Sequence, residues 1–195
     1  MSLKVLVYFS PETLSNSYIL CDTQGGKALI IDPRVFDIPL FETLEANGVT
    51  VAAVLLTHAD EFAARALRTM QSIYDFEIYG GSDKLENLTL HNIKSVTHFE
   101  AAGFTVKSLF LPGHYLDSLV FHIDDFLFTG DIVTAGSITD ADGAYGRALL
   151  IQCIKESILD LPTHTLVLPA FGPPSTVGIE IETNNTLQLS PEIST

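Results

Sequence analysis

Short apolar runs and turn residues alternate along the first third of the chain. The runs "KVLVYFS", "SYILC" and "ALIIDP" have the length and residue types of strands. Apolar side chains then recur at helical spacing from Phe36 to Leu44, and Gly48 follows as a helix-ending residue. This pattern predicts three strands and a helix.

The apolar run "VAAVLL" at positions 51–56 begins a strand-turn-helix unit. Its continuous hydrophobicity is typical of a strand that is covered on both faces. The segment that follows has an apolar stripe at helical spacing, which predicts that Phe62 is a core residue of the first helical turn. The stripe consists of Phe62, Ala63, Leu67, Met70 and Ile73.

Strands dominate the middle of the chain. The segments "TVKSLFLPGH", "SLVFHI" and "DFLFTGDIV" predict three more strands, which are separated by turn residues. No internal repeat, low-complexity tract or linker interrupts the pattern.

The C-terminal third returns to helices. One apolar helical face runs from Tyr145 to Leu161, and Pro162 stops this helix before the strand "TLVLPA". A last helix is predicted in "STVGIEIETNN". Because the order lacks the strict βαβ alternation of a doubly wound sheet, it favours a layered α/β arrangement.

Composition indicates one well-buried unit. The chain has 195 residues, of which 47% are hydrophobic and only 17% are charged, so we expect a single domain over residues 1–195 with a large core. The two cysteines, Cys21 and Cys153, both lie in apolar runs, which is typical of free buried thiols in a reduced setting.

Charge and hydropathy exclude several classes of partner. The net charge of −14 would repel DNA or RNA over most of the surface. No apolar run reaches the roughly 18–20 residues that a membrane span needs, and the first residues do not resemble a signal peptide. The sequence therefore predicts a cytoplasmic protein that binds neither nucleic acid nor membrane.

Four side chains of the types that bind metal ions lie just after strands. They are His58, Asp60, His114 and Asp131. Each has an ordinary alternative taken singly, for example Asp60 as the N-cap of the following helix or Gly113 as a tight-turn residue before His114. Together they favour a metal site, and the nitrogen and oxygen donors suit zinc, iron(II) or manganese.

The order of these loops resembles the metallo-β-lactamase superfamily. The segments "THADEFA", "LPGHYLDS", "FLFTGDIV" and "LPAFGPPSTVGIEIETNN" stand where that family has its metal-binding loops, and "ALIIDP" matches its early Asp-Pro strand end. The resemblance covers nearly the whole chain and implies a four-layer αββα sandwich.

Within the superfamily, the C-terminal segment looks most like the hydroxyacylglutathione hydrolase (glyoxalase II) branch. The chain ends about where the sandwich should end, so we expect it to lack the additional domain with which those enzymes hold glutathione. Glutathione thioesters are therefore not the expected substrates.

The resemblance implies two metal sites, and the first retains groups that can coordinate a metal. Its ligand positions are His58, Asp60 and His114, where a carboxylate at Asp60 replaces the usual imidazole. Asp131 occupies the position that bridges the two ions. These four residues form the predicted metal set, and Asp60 and Asp131 would act as base or orienting group in any hydrolysis.

The second site has lost its ligands. The positions that would supply them are Phe62, Ala63 and Phe171, none of which can bind a metal. We therefore expect at most one metal ion, and we expect the two phenylalanines to fill the vacated volume by apolar packing.

Two hypotheses about function follow. In the first, the protein is a mononuclear, metal-dependent hydrolase of thioesters or related small acyl compounds. In the second, it is a non-catalytic binding or regulatory module on the same fold, without metal, whose four polar residues only hydrogen-bond one another. A nuclease of the same superfamily is disfavoured by the net charge of −14 and the lost second metal.

Overall fold

The structure is a computed structural model that describes residues 3–112 and 114–188. Gly113 of the Pro-Gly-His motif lies outside the described residues. The strands are β1 (Leu3–Ser10), β2 (Ser15–Asp22), β3 (Gly26–Ile31), β4 (Val49–Leu55), β5 (Glu77–Gly80), β6 (Lys84–Leu85), β7 (Leu88–Thr89), β8 (His91–Asn92), β9 (His98–Ala101), β10 (Phe104–Phe110), β11 (Leu119–Ile123), β12 (Phe126–Gly130), β13 (Val133–Thr134), β14 (Ser137–Ile138), β15 (Leu166–Pro169) and β16 (Ser175–Thr176). The helices are α1 (Ile38–Ala46), α2 (Glu61–Met70), α3 (Gly143–Ser157), α4 (Val177–Thr183) and α5 (Asn185–Gln188).

Two six-stranded sheets form the centre of the molecule. The first has the order β1-β2-β3-β4-β5-β8, and the second has the order β16-β15-β12-β11-β10-β9. In the first sheet β3, β4 and β5 run parallel, and in the second β12 and β15 do. In the first sheet β5 and β8 also pair in parallel. The remaining neighbours in the two sheets are antiparallel, for example β1-β2 and β10-β11.

The two sheets pack face to face through an apolar core. Tyr18 and Leu29 of the first sheet meet Phe121 and Phe128 of the second in one cluster of buried side chains. The rings of Tyr18 and Phe128 make an edge contact with centroids 5.3 Å apart, which is a favoured geometry for aromatic pairs.

Helices cover the outer faces of both sheets. Leu44 of α1 and Leu67 of α2 pack with the outer face of the first sheet, while Leu150 and Ile154 of α3 pack with the outer face of the second. The apolar run "ALII" in β3 is buried between these layers, as is most of "VAAVL" in β4, which explains why these segments are continuously apolar. The molecule is an αββα sandwich, and the predicted fold class is confirmed.

Most of the predicted elements are present. Helix α3 ends at Ser157 and not at Leu161, and α2 requires two corrections. The helix ends at Met70, so Ile73 lies beyond it and is exposed. Phe62 is 36% exposed, so its predicted place in the core was wrong. Within the described residues, no helix is long and apolar enough to cross a membrane.

Candidate functional site

The predicted site residues lie where strands of both sheets end. His58 and Asp60 follow β4, and Asp131 directly follows β12. Because β3, β4, β12 and β15 belong to two packed sheets with parallel pairs, the loops after them can meet at one edge of the sandwich. A hydrogen bond from the backbone N–H of Leu119 to the carbonyl of Thr57, 2.7 Å long, joins the two sheets there.

Asp32 anchors the turn that carries His58. Its carboxylate accepts hydrogen bonds from the backbone N–H and from the hydroxyl of Thr57, both 2.8 Å long. Its own backbone has φ 49°, a conformation that residues other than glycine seldom adopt. Burial raises the pKa of Asp32 to about 6, although His58 and the hydrogen bonds from Thr57 oppose the rise. The Asp-Pro strand end is thus a structural anchor.

Gly130 allows Asp131 to come close to His58. Gly130 has φ +55°, and a Cβ atom there would lie 2.3 Å from Oγ1 of Thr57. Only glycine permits this approach of the β12 end to the β4 end. Asp131 is the next residue after the contact of Gly130 with Thr57, so its side chain lies beside the imidazole of His58.

His58 is buried between two carboxylates. Its Nε2 atom lies 3.6 Å from Oδ2 of Asp60 and 3.5 Å from Oδ2 of Asp131. Burial of the ring opposes protonation, but the hydrogen bond with Asp60 and the negative charges of Asp32, Asp131 and Asp60 outweigh it and raise the pKa of His58. Three of the four predicted ligands are therefore brought together.

Arg34 reaches both of these carboxylates. One guanidinium nitrogen, Nη2, forms an ion pair with Oδ2 of Asp60, and Nη1 lies 3.6 Å from Oδ1 of Asp131. The Arg34 side chain is only 11% exposed, against 18% for Asp60 and 16% for Asp131. Among the described residues, neither Nη1 of Arg34 nor Oδ1 of Asp131 has a hydrogen-bond partner, so this second contact is an ion pair without a hydrogen bond.

Asp60 also caps helix α2. Its carboxylate accepts a 2.6 Å hydrogen bond from the backbone N–H of Ala63, which is the N-cap interaction that the sequence allowed. Burial alone would raise the pKa of Asp60. The hydrogen bonds from His58 and Ala63 and the positive charge of Arg34 outweigh burial, so the pKa is lowered.

Phe62 and Phe171 pack against the guanidinium of Arg34. The guanidinium carbon lies 5.6 Å from the ring centroid of Phe62 and 5.2 Å from that of Phe171. Both distances are within the range of cation–π contacts. The expectation that the two rings fill the second site by apolar packing was therefore wrong, because they pack against a cation.

His114 is connected to His58 only through the ring of Tyr115, among the contacts of the described residues. Its Nδ1 atom is 2.8 Å from the carbonyl oxygen of Asp140. The ring of Tyr115 is stacked on His58 with centroids 4.9 Å apart, and it lies 4.0 Å from the ring of His114. Tyr115 is thus in contact with both histidines.

The residues present do not fit a metal ion in this arrangement. In the part of the chain that the structure describes, no group of three or more His, Cys, Asp or Glu side chains could hold one. One oxygen of each carboxylate, Oδ2 of Asp60 and Oδ1 of Asp131, lies against the guanidinium of Arg34 instead. A positively charged side chain therefore stands where the predicted metal set would need its ion.

Sequence reasoning missed Arg34. The residue follows "ALIIDP" directly, at a strand end that resembles the superfamily, but arginine is not a residue type that binds metal ions. The available signal was the presence of two aspartates at strand ends, since buried carboxylates need a cation.

Comparison with known proteins gives relatives of similar length. No family model matches the chain. It is 29% identical to the probable metallo-hydrolase YqgX of Bacillus subtilis, over 87% of this chain and 90% of that protein. It is 28% identical to the probable polyketide biosynthesis zinc-dependent hydrolase BaeB of Bacillus velezensis, over 80% of this chain and 72% of that protein.

A solved structure agrees with these relatives. The BLEG-1 B3 metallo-β-lactamase superposes with a TM-score of 0.80 and 26% sequence identity, over 95% of this chain and all of that one. The names of the sequence relatives, together with this structural neighbour, support the assignment of the chain to the metallo-β-lactamase superfamily, a family of hydrolase-like proteins.

Proposed function

We propose that this protein is a non-catalytic binding or regulatory member of its superfamily, which does not hydrolyse acyl substrates. The observation that carries the proposal is the contact of Arg34 with both Asp60 and Asp131. A carboxylate oxygen that is paired with a guanidinium does not coordinate a metal ion at the same time, and a site without a metal ion has no metal-activated water.

The second-site positions support the same conclusion. Phe62, Ala63 and Phe171 carry no donor atom, and the two aromatic rings contact Arg34. A two-metal centre would need three ligands at these positions.

The ligand that we propose is a small acyl compound with an apolar part. Phe62 and Tyr115 border the site and remain 36% and 46% exposed. Leu116, which follows Tyr115 in the chain, is also exposed. Exposed aromatic and aliphatic side chains around a polar centre are typical of small-molecule sites. A place near the glyoxalase II branch, as the segment "GPPSTVGIEIETNN" suggests, also favours an acyl ligand.

A mononuclear hydrolase is the second candidate. It is favoured by the closeness of His58 Nε2 to both carboxylates and by the similarity to BaeB, a probable zinc-dependent hydrolase. In this case Arg34 would have to leave the carboxylates, so that His58, Asp60, His114 and Asp131 could form the ligand set.

Metal content and chelator response distinguish the two candidates. Protein purified without chelator should contain far less than one equivalent of zinc, iron or manganese. Its melting temperature should not change with EDTA, since no bound metal stabilises the folded state. A panel of acyl thioesters should be hydrolysed no faster than in buffer.

His114→Ala is the matched variant for these measurements. It should leave metal content and chelator response as they are in the unmodified protein. A stoichiometric metal that disappears in His114→Ala, together with thioester hydrolysis, would establish the mononuclear hydrolase instead.

A further inference from the structure

The carboxylates of Asp60 and Asp131 need a positive partner. Both are largely buried, with 18% and 16% of their side chains exposed. A buried anion without a partner is strongly unfavourable, and removal of one member of such a pair leaves the other uncompensated. In a metal site the ion would neutralise them, so a chain without the ion requires another cation.

The backbone before Arg34 is rigidly placed. Asp32 is fixed by its two hydrogen bonds from Thr57 and by the 3.0 Å bond from its own N–H to the carbonyl of Leu55. Pro33 follows and restricts its own φ. Arg34 therefore leaves the end of β3 from a fixed position, one residue beyond the proline, and its side chain extends to the ends of β4 and β12.

The surroundings of the guanidinium suit an arginine and not a metal ion. Two aromatic faces, from Phe62 and Phe171, lie 5.6 and 5.2 Å from its central carbon. Aromatic faces attract a delocalised, weakly hydrated guanidinium but offer no lone pair to a divalent cation. Phe62 and Phe171 stand at positions where the superfamily has metal ligands. They cannot bind a metal ion, but their rings help to hold the guanidinium of Arg34 in place.

We propose that Arg34 is a permanent substitute for the metal ion. Its guanidinium neutralises Asp60 and Asp131 and keeps divalent cations from binding to them. Arg34 can have this role only if the proposed function is right, since the chain must lack a resident metal at these carboxylates. The consequence is specific: removal of the guanidinium should open the site to a divalent cation, because His58, Asp60 and Asp131 remain close together.

The test compares zinc binding in Arg34 variants. The unmodified protein, Arg34→Ala and Arg34→Lys are equilibrated with Zn²⁺, freed of excess metal and analysed for zinc per chain. We expect about one zinc per chain in Arg34→Ala and far less in the unmodified protein and in Arg34→Lys, which retains a positive charge. Zinc at about a hundred times its dissociation constant should raise the melting temperature of Arg34→Ala by about 5–10 °C, and should not raise that of the unmodified protein.

Arg65→Ala is the matched control. Arg65 also lies over the ring of Phe62, at 5.8 Å, but it pairs with Glu12 on the surface. Its removal lowers the positive charge by the same amount, so a general charge effect would give zinc binding in both variants. We expect none in Arg65→Ala. A double variant, Arg34→Ala with Asp131→Asn, should lose the zinc that Arg34→Ala gains.

The possible results separate this inference from the proposed function. If neither the unmodified protein nor a folded Arg34→Ala binds zinc, Arg34 is not a substitute for the metal, while the proposed function stands. If the unmodified protein already contains stoichiometric metal, the proposed function fails and the role of Arg34 fails with it. Should Arg34→Ala not fold, Arg34→Met retains most of the side-chain volume without the charge and should bind zinc in the same way.

Discussion

Single residues at this site have more than one physical role. Asp60 caps helix α2 through the N–H of Ala63, pairs with Arg34 and lies beside His58. The cap requires only an oxygen acceptor, whereas the ion pair requires a negative charge. The two roles can therefore be separated by the choice of substitution.

Replacement of Asp60 by asparagine and by alanine should give different losses of stability. Asp60→Asn keeps an acceptor for the helix cap and removes only the charge, whereas Asp60→Ala removes both. We expect Asp60→Ala to have a free energy of unfolding lower than that of Asp60→Asn by about 1 kcal/mol, the usual value of an N-cap. Urea unfolding of the two variants checks this, and equal stabilities would show that the cap contributes nothing.

At the scale of residues, sequence reasoning identified the histidine and the two aspartates of the site but not its arginine. His58, Asp60 and Asp131 could be found because their residue types and their places after strands are visible in the sequence. Arg34 could not, since an arginine after a strand is usually a surface residue and its partners come from distant segments. The same limit applies to Phe62, which was expected in the core because helical spacing does not show where α2 meets a charged group.

At the scale of elements, the contact between two strand ends determines the geometry of the site. The end of β12 approaches the end of β4 at Gly130 and Thr57. This contact holds the two sheets together at the edge where the charged side chains lie. A substitution at the contact should therefore affect the fold as well as the site.

Gly130→Ala should be strongly destabilising. The new Cβ would lie 2.3 Å from Oγ1 of Thr57, and the residue would also be held at φ +55°. Gly136→Ala is the matched control, because Gly136 has φ +77° but nothing within 4 Å of the Cβ position. We expect Gly130→Ala to lose about 1–3 kcal/mol more stability than Gly136→Ala, which is the usual penalty of overpacking. Similar losses in the two variants would mean that the strand ends separate easily.

The elements that the sequence predicted are those with long apolar runs. Strands β2, β3 and β4 contain the largely buried apolar runs "YILC", "ALII" and "VAAVL". The four-residue strands β5 and β9 were missed because they are short and alternate buried with exposed positions, including the charged residues Glu77 and Glu100. Strands of this kind are defined by their neighbours in the sheet, which a local pattern does not contain.

At the scale of the whole molecule, the titrating groups at the site give stability a definite pH dependence. The folded-state pKa of His58 is raised above its ordinary value of 6.5, so the folded protein binds more protons there than the unfolded chain as pH rises past 6.5. Stability is then lost as pH rises. Asp32, whose pKa rises from 3.8 to about 6, gives the same sign at lower pH. Asp60 has a lowered pKa and gives the opposite sign, but only as pH falls below 3.8.

The contribution of these three groups to the free energy of unfolding should therefore be highest near pH 4. It should fall as pH rises to about 6 through Asp32, and fall further above pH 6.5 through His58. The net charge of −14 adds to this trend, since self-repulsion grows as histidines lose their protons. Urea unfolding across this range checks the prediction. His58→Gln is the informative variant, because it retains a polar side chain that does not titrate, and it should reduce the slope above pH 6.5. A slope that is unchanged in His58→Gln would show that the fall in stability comes from the general negative charge of the molecule and not from the buried imidazole beside Asp60 and Asp131.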